Sequence, residues 1–159
     1  MPLRVRIFLI ICCTAMLAAL YFLTPRQFRF TLERHDAPET VTFTLTVTPQ
    51  LFARPQVTGR VQTAHAAYPV DETAMFSSHN AEQLTIAVQS YRNAAGEYRA
   101  LFAEMDIYTG EAAVTVFDFP GNTVAETFSA DIGEAVLVKR LCDLLFPLSG
   151  SVPENQKSP

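Results

Sequence analysis

One unbroken apolar run near the N-terminus, residues 7–23, limits what the rest of the chain can become. It follows Arg4 and Arg6 and is about 17 residues long, so a helix of this run would extend about 26 Å. That length is slightly below the roughly 30 Å of bilayer hydrocarbon, and the long side chains of Arg6 and Arg26 can reach the headgroups at each end. Residues 1–25 are therefore predicted to be a membrane anchor with a single transmembrane helix.

A cleaved signal peptide is the main alternative for this run. Its basic start and apolar middle fit a signal peptide, but cleavage requires small residues at both ends of a triplet. The best triplets, 16–18 and 17–19, each place a large residue where a small one is required. We therefore favour an uncleaved anchor, while a secreted or periplasmic chain after cleavage remains the alternative.

Basic residues flank the run on both sides, so their count does not set its orientation. Arg4 and Arg6 precede it, and Arg26, Arg29 and Arg34 follow it. A short N-terminal tail carries little orienting information, whereas long domains cross a membrane largely regardless of charge. We expect the N-terminus in the cytoplasm and the domain on the outer side of the cytoplasmic membrane.

The chain after the anchor, residues 26–147, has the length of one domain with its own core. With Arg4 and Arg6 set aside, the 12 basic and 16 acidic residues give the rest of the chain a net charge of about −6. The basic residues do not cluster, so nucleic acid is not an expected partner. Residues 148–159 are polar and are predicted to be a disordered tail.

Two stretches of strict alternation, residues 27–35 and 40–48, predict a β-hairpin around a turn at 36–39. Pairing His35 with Thr40 gives this hairpin one apolar and one polar face. The apolar pairs are then Leu32 with Phe43, Phe30 with Leu45, and Phe28 with Val47. A shift of one residue would place aromatic side chains against threonines, so the alternation fixes which face is buried.

A meander of strands is predicted further along the chain. A turn at 93–96 pairs Tyr91 with Tyr98 and sets the register of the first two strands. The apolar pairs are Val88 with Leu101, Ile86 with Ala103, and Leu84 with Met105. The opposite face mixes Tyr98, Phe102 and Phe119 with polar residues, so we expect that face to be half covered.

Two further turns extend the meander. Residues 110–111 form a two-residue turn with glycine first, as a type II′ turn requires. Residues 120–121, Pro-Gly, suit a turn into a last strand at 123–128. The resulting pairs are Ile107 with Val114, Met105 with Val116, and Phe117 with Val124.

Residues 129–146 predict a helix, with Asp131 as its cap and Glu134 three residues later. Its apolar residues recur at helical spacing and should pack on the sheet. That stripe consists of Leu137, Val138, Leu141, Cys142, Leu144 and Leu145. Cys142 is the only cysteine after the apolar run, so the domain can form no internal disulfide, and we interpret this thiol as a buried hydrophobe.

Residues 49–80 show no sustained period and contain three prolines, although 56–63 suits a short edge strand across Gly59. We expect a long irregular connection with exposed side chains, the kind of segment on which binding sites are often found. The binding candidates within it are His65, Tyr68, Asp71, Glu72 and His79.

No catalytic or ligand motif stands out in the domain. No His-x-x-x-His or Cys-x-x-Cys spacing offers metal ligands, no Gly-x-Ser-x-Gly offers a nucleophile, and the isolated glycines form no phosphate loop. We therefore expect no metal, no cofactor and no catalytic residues. An enzyme would require His65, Asp71, Glu72 and His79 to converge.

The predicted fold class is α+β: an N-terminal transmembrane helix, then a mainly antiparallel β-meander sheet of five to seven strands with one C-terminal helix packed on it. In architecture such a chain is similar to small envelope-assembly subunits of bacteria. The leading functional hypothesis is a non-enzymatic binding or assembly subunit of an envelope complex. It contacts the membrane through residues 7–23 and binds a protein partner at 51–80 or, alternatively, at the hairpin tip of Tyr91 and Tyr98.

Two other hypotheses remain open. A small-ligand or lipid-binding module is favoured if the sheet and helix enclose an apolar cavity instead of a packed core. A small hydrolase or metal enzyme comes third, since it depends on residues far apart in the sequence.

The anchor hypothesis predicts that the mature chain keeps its N-terminus and stays with the membrane fraction after a carbonate wash, because the apolar run remains embedded in lipid. Intact-protein mass spectrometry together with fractionation checks both points. A mature chain that begins near Thr24 would instead establish a cleaved signal peptide.

Overall fold

Two helices and nine strands make up the described part of the computed structural model, which covers residues 3–50, 53–89, 98–119 and 123–147. The helices are α1 (Leu3–Leu23) and α2 (Ala135–Leu145). The strands are β1 (Arg26–Arg34), β2 (Thr40–Thr48), β3 (Gln56–Gln62), β4 (Ala67–Val70), β5 (Met75–His79), β6 (Gln83–Gln89), β7 (Tyr98–Asp106), β8 (Glu111–Phe119) and β9 (Thr123–Ile132). The order of an apolar helix, an antiparallel sheet and a C-terminal helix is as predicted. The expected five to seven strands were too few, because β4 and β5 lie in the stretch expected to be irregular.

All nine described strands form one antiparallel sheet in the order β4-β3-β2-β1-β9-β8-β7-β6-β5. Neighbours in this sheet are consecutive in sequence except for β1 and β9, so two meanders meet along one seam. The seam consists of Leu32 opposite Ile132, Glu33 opposite Asp131, and Arg34 opposite Ala130. These pairs make one sheet out of two separate sets of hairpins.

The sheet curls because a short connection joins its two edges. Directions alternate along the strand order, so β4 and β5, at opposite edges, run the same way. Only residues 71–74 separate them, and β4 also packs against β6. A turn at 71–74, closed by the Ala74 amide donating to the Asp71 carbonyl at 3.1 Å, leads from β4, which pairs with β3, to β5, which pairs with β6. One face of the sheet thereby becomes concave.

Inward side chains fill the concave face. Phe30 and Phe43 stack there with ring centroids 4.8 Å apart, and neither has any exposed area. The other side chains with no exposed area include Leu32, Leu45, Val47, Val61, Leu84, Ile86, Leu101, Val114 and Leu141. An area of zero means that no water-sized void touches these residues. The concave face is therefore a packed core, as in antiparallel barrels of about eight strands, whose interior is just wide enough for side chains.

The β1–β2 hairpin has the predicted faces but not the predicted register. The observed pairs are Leu32 with Val41, Phe30 with Phe43, and Phe28 with Leu45. This is a shift of two residues, which preserves every inward position and is invisible to the alternation. The Arg34 amide donates to the Glu39 carbonyl at 3.2 Å and closes the turn earlier than predicted. The His35 amide donates instead to the Ser129 carbonyl of β9 at 3.2 Å.

The β6–β7 register is confirmed. Val88 lies opposite Leu101, Ile86 opposite Ala103, and Leu84 opposite Met105. Phe117 also lies opposite Val124, as predicted for the last hairpin. The turns at 93–96 and 120–121, and Tyr91 with its pairing, lie outside the described residues.

The β7–β8 hairpin is four residues out of the predicted register. The observed pairs are Met105 with Ala112 and Ala103 with Val114. The Asp106 carboxylate accepts the amides of Tyr108 and Thr109 at 2.9 and 3.0 Å, which stabilises a longer turn. Gly110 donates its amide to the Asp106 carbonyl at 3.0 Å and has a φ of 79°, which glycine adopts without strain. The prediction of a two-residue turn at 110–111 was therefore wrong.

α2 begins later than predicted, at Ala135. Before it, Ala130 and Ile132 continue β9, point inward and pair with β1. Asp131 therefore lies in a strand and does not cap the helix, which starts after Glu134 without a side-chain cap. The residues that resembled a helix cap, Asp131 to Glu134, lie where β9 ends. The sequence did not reveal this strand end because β1, with which β9 pairs there, lies about a hundred residues earlier.

α2 packs its apolar stripe against the curled sheet, as predicted. Its buried residues are Val138, Leu141 and Cys142, while Lys139 and Arg140 are exposed. The Cys142 sulfur lies 3.3 Å from the Ser78 hydroxyl of β5. At the other end, the Glu134 carboxylate accepts the Thr31 amide of β1 at 2.9 Å. The helix therefore bridges β1 and β5.

Residues 56–62 form a strand, β3, as the sequence predicted, but not an edge strand, because β4 pairs along its far side. Gly59 has a φ of 150° at the centre of β3, and a Cβ there would collide with the Thr44 carbonyl oxygen of β2. Glycine is therefore required at this close approach of two strands.

Leu141→Ala should lower the free energy of unfolding by about 2–5 kcal/mol, because this side chain has no exposed area and its loss leaves a cavity under α2. Lys139→Ala, on the exposed face of the same helix, should change it by no more than about 0.5 kcal/mol. Denaturant unfolding of both variants checks this. Equal effects would mean that α2 does not pack as described.

Candidate functional site

The outward face of β5–β9 has an aromatic half. We call it the outer aromatic face, and it consists of Met75, Tyr98, Phe102, Phe117, Phe119 and Val124. In one cross-strand row Met75 and Phe102 flank Ala87. In the next row Phe117 lies opposite Val124. At the end of β7 and β8, Tyr98 and Phe119 stack with ring centroids 4.6 Å apart. The rows adjoin one another, so the apolar surface crosses all five strands.

These side chains point outward because their neighbours along each strand occupy the core. Leu101 and Ala103, on either side of Phe102, have no exposed area. Met75 and Val124 are 66% and 57% exposed, and the four rings are half-buried. Contiguous exposed surface rich in aromatic residues and methionine is typical of protein–protein contact.

The outer aromatic face lies at the end of the domain away from α1. β1 starts three residues after α1 ends and runs away from it, while β9 runs antiparallel to β1. Leu32 pairs with Ile132, so Val124 lies a further eight residues along, roughly 26 Å at 3.3 Å per residue.

The other half of the same outward face is polar and largely acidic. A groove of about 450 Å³ is lined there by residues that include His35, Glu104, Asp106 and Glu111. The hydrogen bond to Asp131, at 2.9 Å, raises the pKa of His35, and the charges of Glu111 and Asp36 act in the same direction. Hydrogen bonds from backbone amides, of which that of Thr109 has the largest effect, lower the pKa of the Asp106 carboxylate. This half favours cationic groups.

Tyr68 lies in the core, not on an exposed loop as predicted. It belongs to β4, pairs with Val61 and is only 1% exposed. Burial raises the pKa of the Tyr68 hydroxyl. Beside it is a cavity of about 40 Å³ with Arg34, Arg99 and Glu126 in its lining. This space suits one or two water molecules, not a larger ligand.

Arg34 lines that cavity and links several neighbouring residues through ion pairs. Its guanidinium pairs with Asp36 and Glu126, lies 3.8 Å from a Glu39 oxygen, and stands 4.4 Å from the Phe128 ring centroid. Hydrogen bonds to Asp36 and Glu126 raise the pKa of Arg34. The hydrogen bond from Arg34 in turn lowers the pKa of Asp36. With three carboxylates already around it, Arg34 offers no anion site.

The remaining sequence-predicted residues are separated by the fold. His65 lies beside Glu39, with 3.7 Å between its Nε2 and a carboxylate oxygen. Asp71 and Glu72 line a different groove, of about 410 Å³, next to the end of α2. His79 ends β5 and pairs with Gln83. The four residues proposed for an enzyme are therefore not brought together, and the described ranges hold no cluster of three or more potential metal ligands.

No family model, no curated protein and no solved structure matches the chain. The functional interpretation therefore rests on the geometry of the described surfaces. The sequence predicts half-covered rings at Tyr98, Phe102 and Phe119, but its irregular pattern points to residues 51–80 for partner binding. The distal position of the rings depends on the β1–β9 seam, which no local pattern indicates.

The pair of His35 and Asp131 should make stability depend on pH. Because the folded protein holds the pKa of His35 above its ordinary value, the stabilisation is complete below that ordinary value. It is then lost as the pH rises through the raised pKa. Asp131→Asn should therefore lower the unfolding midpoint at about pH 5.5, and the difference should shrink towards alkaline pH. A difference that is independent of pH would contradict this.

Proposed function

We propose that the protein is a membrane-anchored, non-enzymatic binding subunit of an envelope complex, with its domain outside the cytoplasm and a protein partner on the outer aromatic face. The observation that carries the proposal is the position of this face. It is a contiguous apolar surface on the outward side of the described strands, with Met75 and Val124 exposed and four rings half-buried, and it points away from the end of the domain that joins α1.

The anchor is supported by α1. Residues Val5–Leu23 are long and apolar enough to cross a membrane, and none of this segment is buried against the domain. A signal sequence has the same properties, so retention of α1 in the mature chain is part of the proposal. An apolar helix that stays exposed on a folded domain requires an apolar environment, which a bilayer supplies.

A protein partner suits the outer aromatic face better than lipid does. Lipid contact would require the face to lie near α1, whereas β9 carries Val124 away from it. The surface lies on the outer, convex side of the curled sheet and extends over five strands, which suits a protein interface and is unlike the concave sites of small ligands. The packed concave face likewise gives no support to a ligand enclosed by the sheet.

Photocrosslinking in cells tests this proposal. A photoreactive residue at Val124 of the full-length protein should give discrete crosslinked species, because this position lies on the outer aromatic face. The same probe at Tyr108, which is 86% exposed beside the polar half, should give few or none. Combining Phe102→Ser and Phe117→Ser should reduce the Val124 crosslinks at least severalfold.

The matched control is Thr85→Ala with Glu104→Ala, which changes two outward side chains of the polar half on the same sheet. It should leave the Val124 crosslinks intact. Unfolding midpoints of both double variants must stay well above the growth temperature. Crosslinks that survive the phenylalanine substitutions, or that are equally strong from Tyr108, would exclude this face as the partner site.

A further inference from the structure

A groove of about 590 Å³ lies between the start of β1 and α2. Its floor is apolar, with Phe28 buried and Leu137 and Leu144 half-buried. Its rim carries Arg26 and Arg140, both exposed. The volume falls within the roughly 300–1,000 Å³ of sites that bind small molecules.

The two arginines give the groove a positive charge. Within the described ranges neither arginine forms an ion pair, and the Arg26 guanidinium stands 5.7 Å from the Tyr21 ring centroid. The acidic residue in the described lining is Asp143, which Lys139 already engages at 3.4 Å. An anionic ligand is therefore complementary to this rim, and phosphate suits guanidinium groups best.

The groove also lies where the chain leaves α1. Thr24 and Pro25 are the only residues between α1 and Arg26, so the Cα atom of Arg26 is within about 11 Å of that of Leu23. With α1 in a bilayer, the headgroup layer occupies about 5–7.5 Å beyond the hydrocarbon on each side. Tyr21 near the end of α1 is the residue type enriched at that level. The arginine side chains can therefore reach lipid phosphates.

We infer that this groove binds the headgroup of an anionic membrane phospholipid. Arg26 and Arg140 hold the phosphate, and the glycerol and first acyl carbons lie against Phe28, Leu137 and Leu144. A phospholipid joins a phosphate to an apolar chain, which matches a charged rim above an apolar floor. The inference rests on the proposed anchoring through α1 and adds the class of lipid that the domain recognises.

Tryptophan fluorescence in nanodiscs tests the inference. The chain has no tryptophan, and Val136 is 67% exposed on α2, one turn before Arg140. Full-length Val136→Trp protein is placed in nanodiscs that contain either brominated phosphatidylglycerol or brominated phosphatidylcholine at the same mole fraction. Two arginines at a membrane surface correspond to roughly thirtyfold preference for the anionic lipid. Quenching by the brominated anionic lipid should therefore be clearly stronger.

Two pairs of substitutions separate a site from general attraction. Arg26→Gln with Arg140→Gln should abolish the preference. Arg29→Gln with Arg60→Gln removes the same charge from the outward face of β1 and β3, where the two residues flank Thr44, and should keep the preference. Equal quenching by both lipids, or equal loss in both variant pairs, would overturn the inference.

Failure of the anchoring itself has a different signature. The full chain would be released by a carbonate wash, and neither brominated lipid would quench the tryptophan. That result would reject the anchor and the lipid site together. A chain that resists the wash but shows no lipid preference would reject the lipid site alone.

Discussion

Three residue pairs between β1 and β9 hold the two meanders in one sheet, and a side chain supports the seam at each end. Beyond one end Arg34 binds Glu126 and covers the Phe128 ring. Beyond the other end, where β9 gives way to α2, the Glu134 carboxylate accepts the Thr31 amide that has lost its strand partner. Both contacts are hydrogen bonds to a carboxylate, which stabilise more than neutral hydrogen bonds do, so they help to keep the curled sheet closed along β1.

Alternation in the sequence predicted faces more reliably than registers. The β6–β7 pairs were predictable, whereas the Asp106 turn shifted the next hairpin by four residues without changing which side chains point inward. Tyr68 was missed because β4 has four residues, too few for a visible period. The rings at Tyr98 and Phe102 were recognisable as half covered. Their place far from α1 depends on a seam between residues about a hundred positions apart, which local patterns do not contain.

A filled interior moves any binding function of this domain to its outer surfaces. Antiparallel sheets that curl around a ligand leave space between their inward side chains, whereas here the rings of Phe30 and Phe43 stack in that position. The outward surfaces differ in chemistry along the strands. A basic groove adjoins α1, an acidic strip crosses the middle, and aromatic rings occupy the far end. The domain thus offers different kinds of contact at different distances from its proposed anchor.

The connection from α1 to β1 is short and stiff. The Thr24 hydroxyl donates to the Leu20 carbonyl at 2.7 Å, and Pro25 restricts the backbone that follows. On a flexible linker of about 20 residues a domain would range over roughly 25 Å. With α1 in a bilayer, as proposed, this domain instead keeps a nearly constant height and searches for partners in two dimensions. A partner must therefore present its complementary surface at that same distance from the membrane. The short connection thus restricts which membrane proteins can bind, independently of the side chains at the interface.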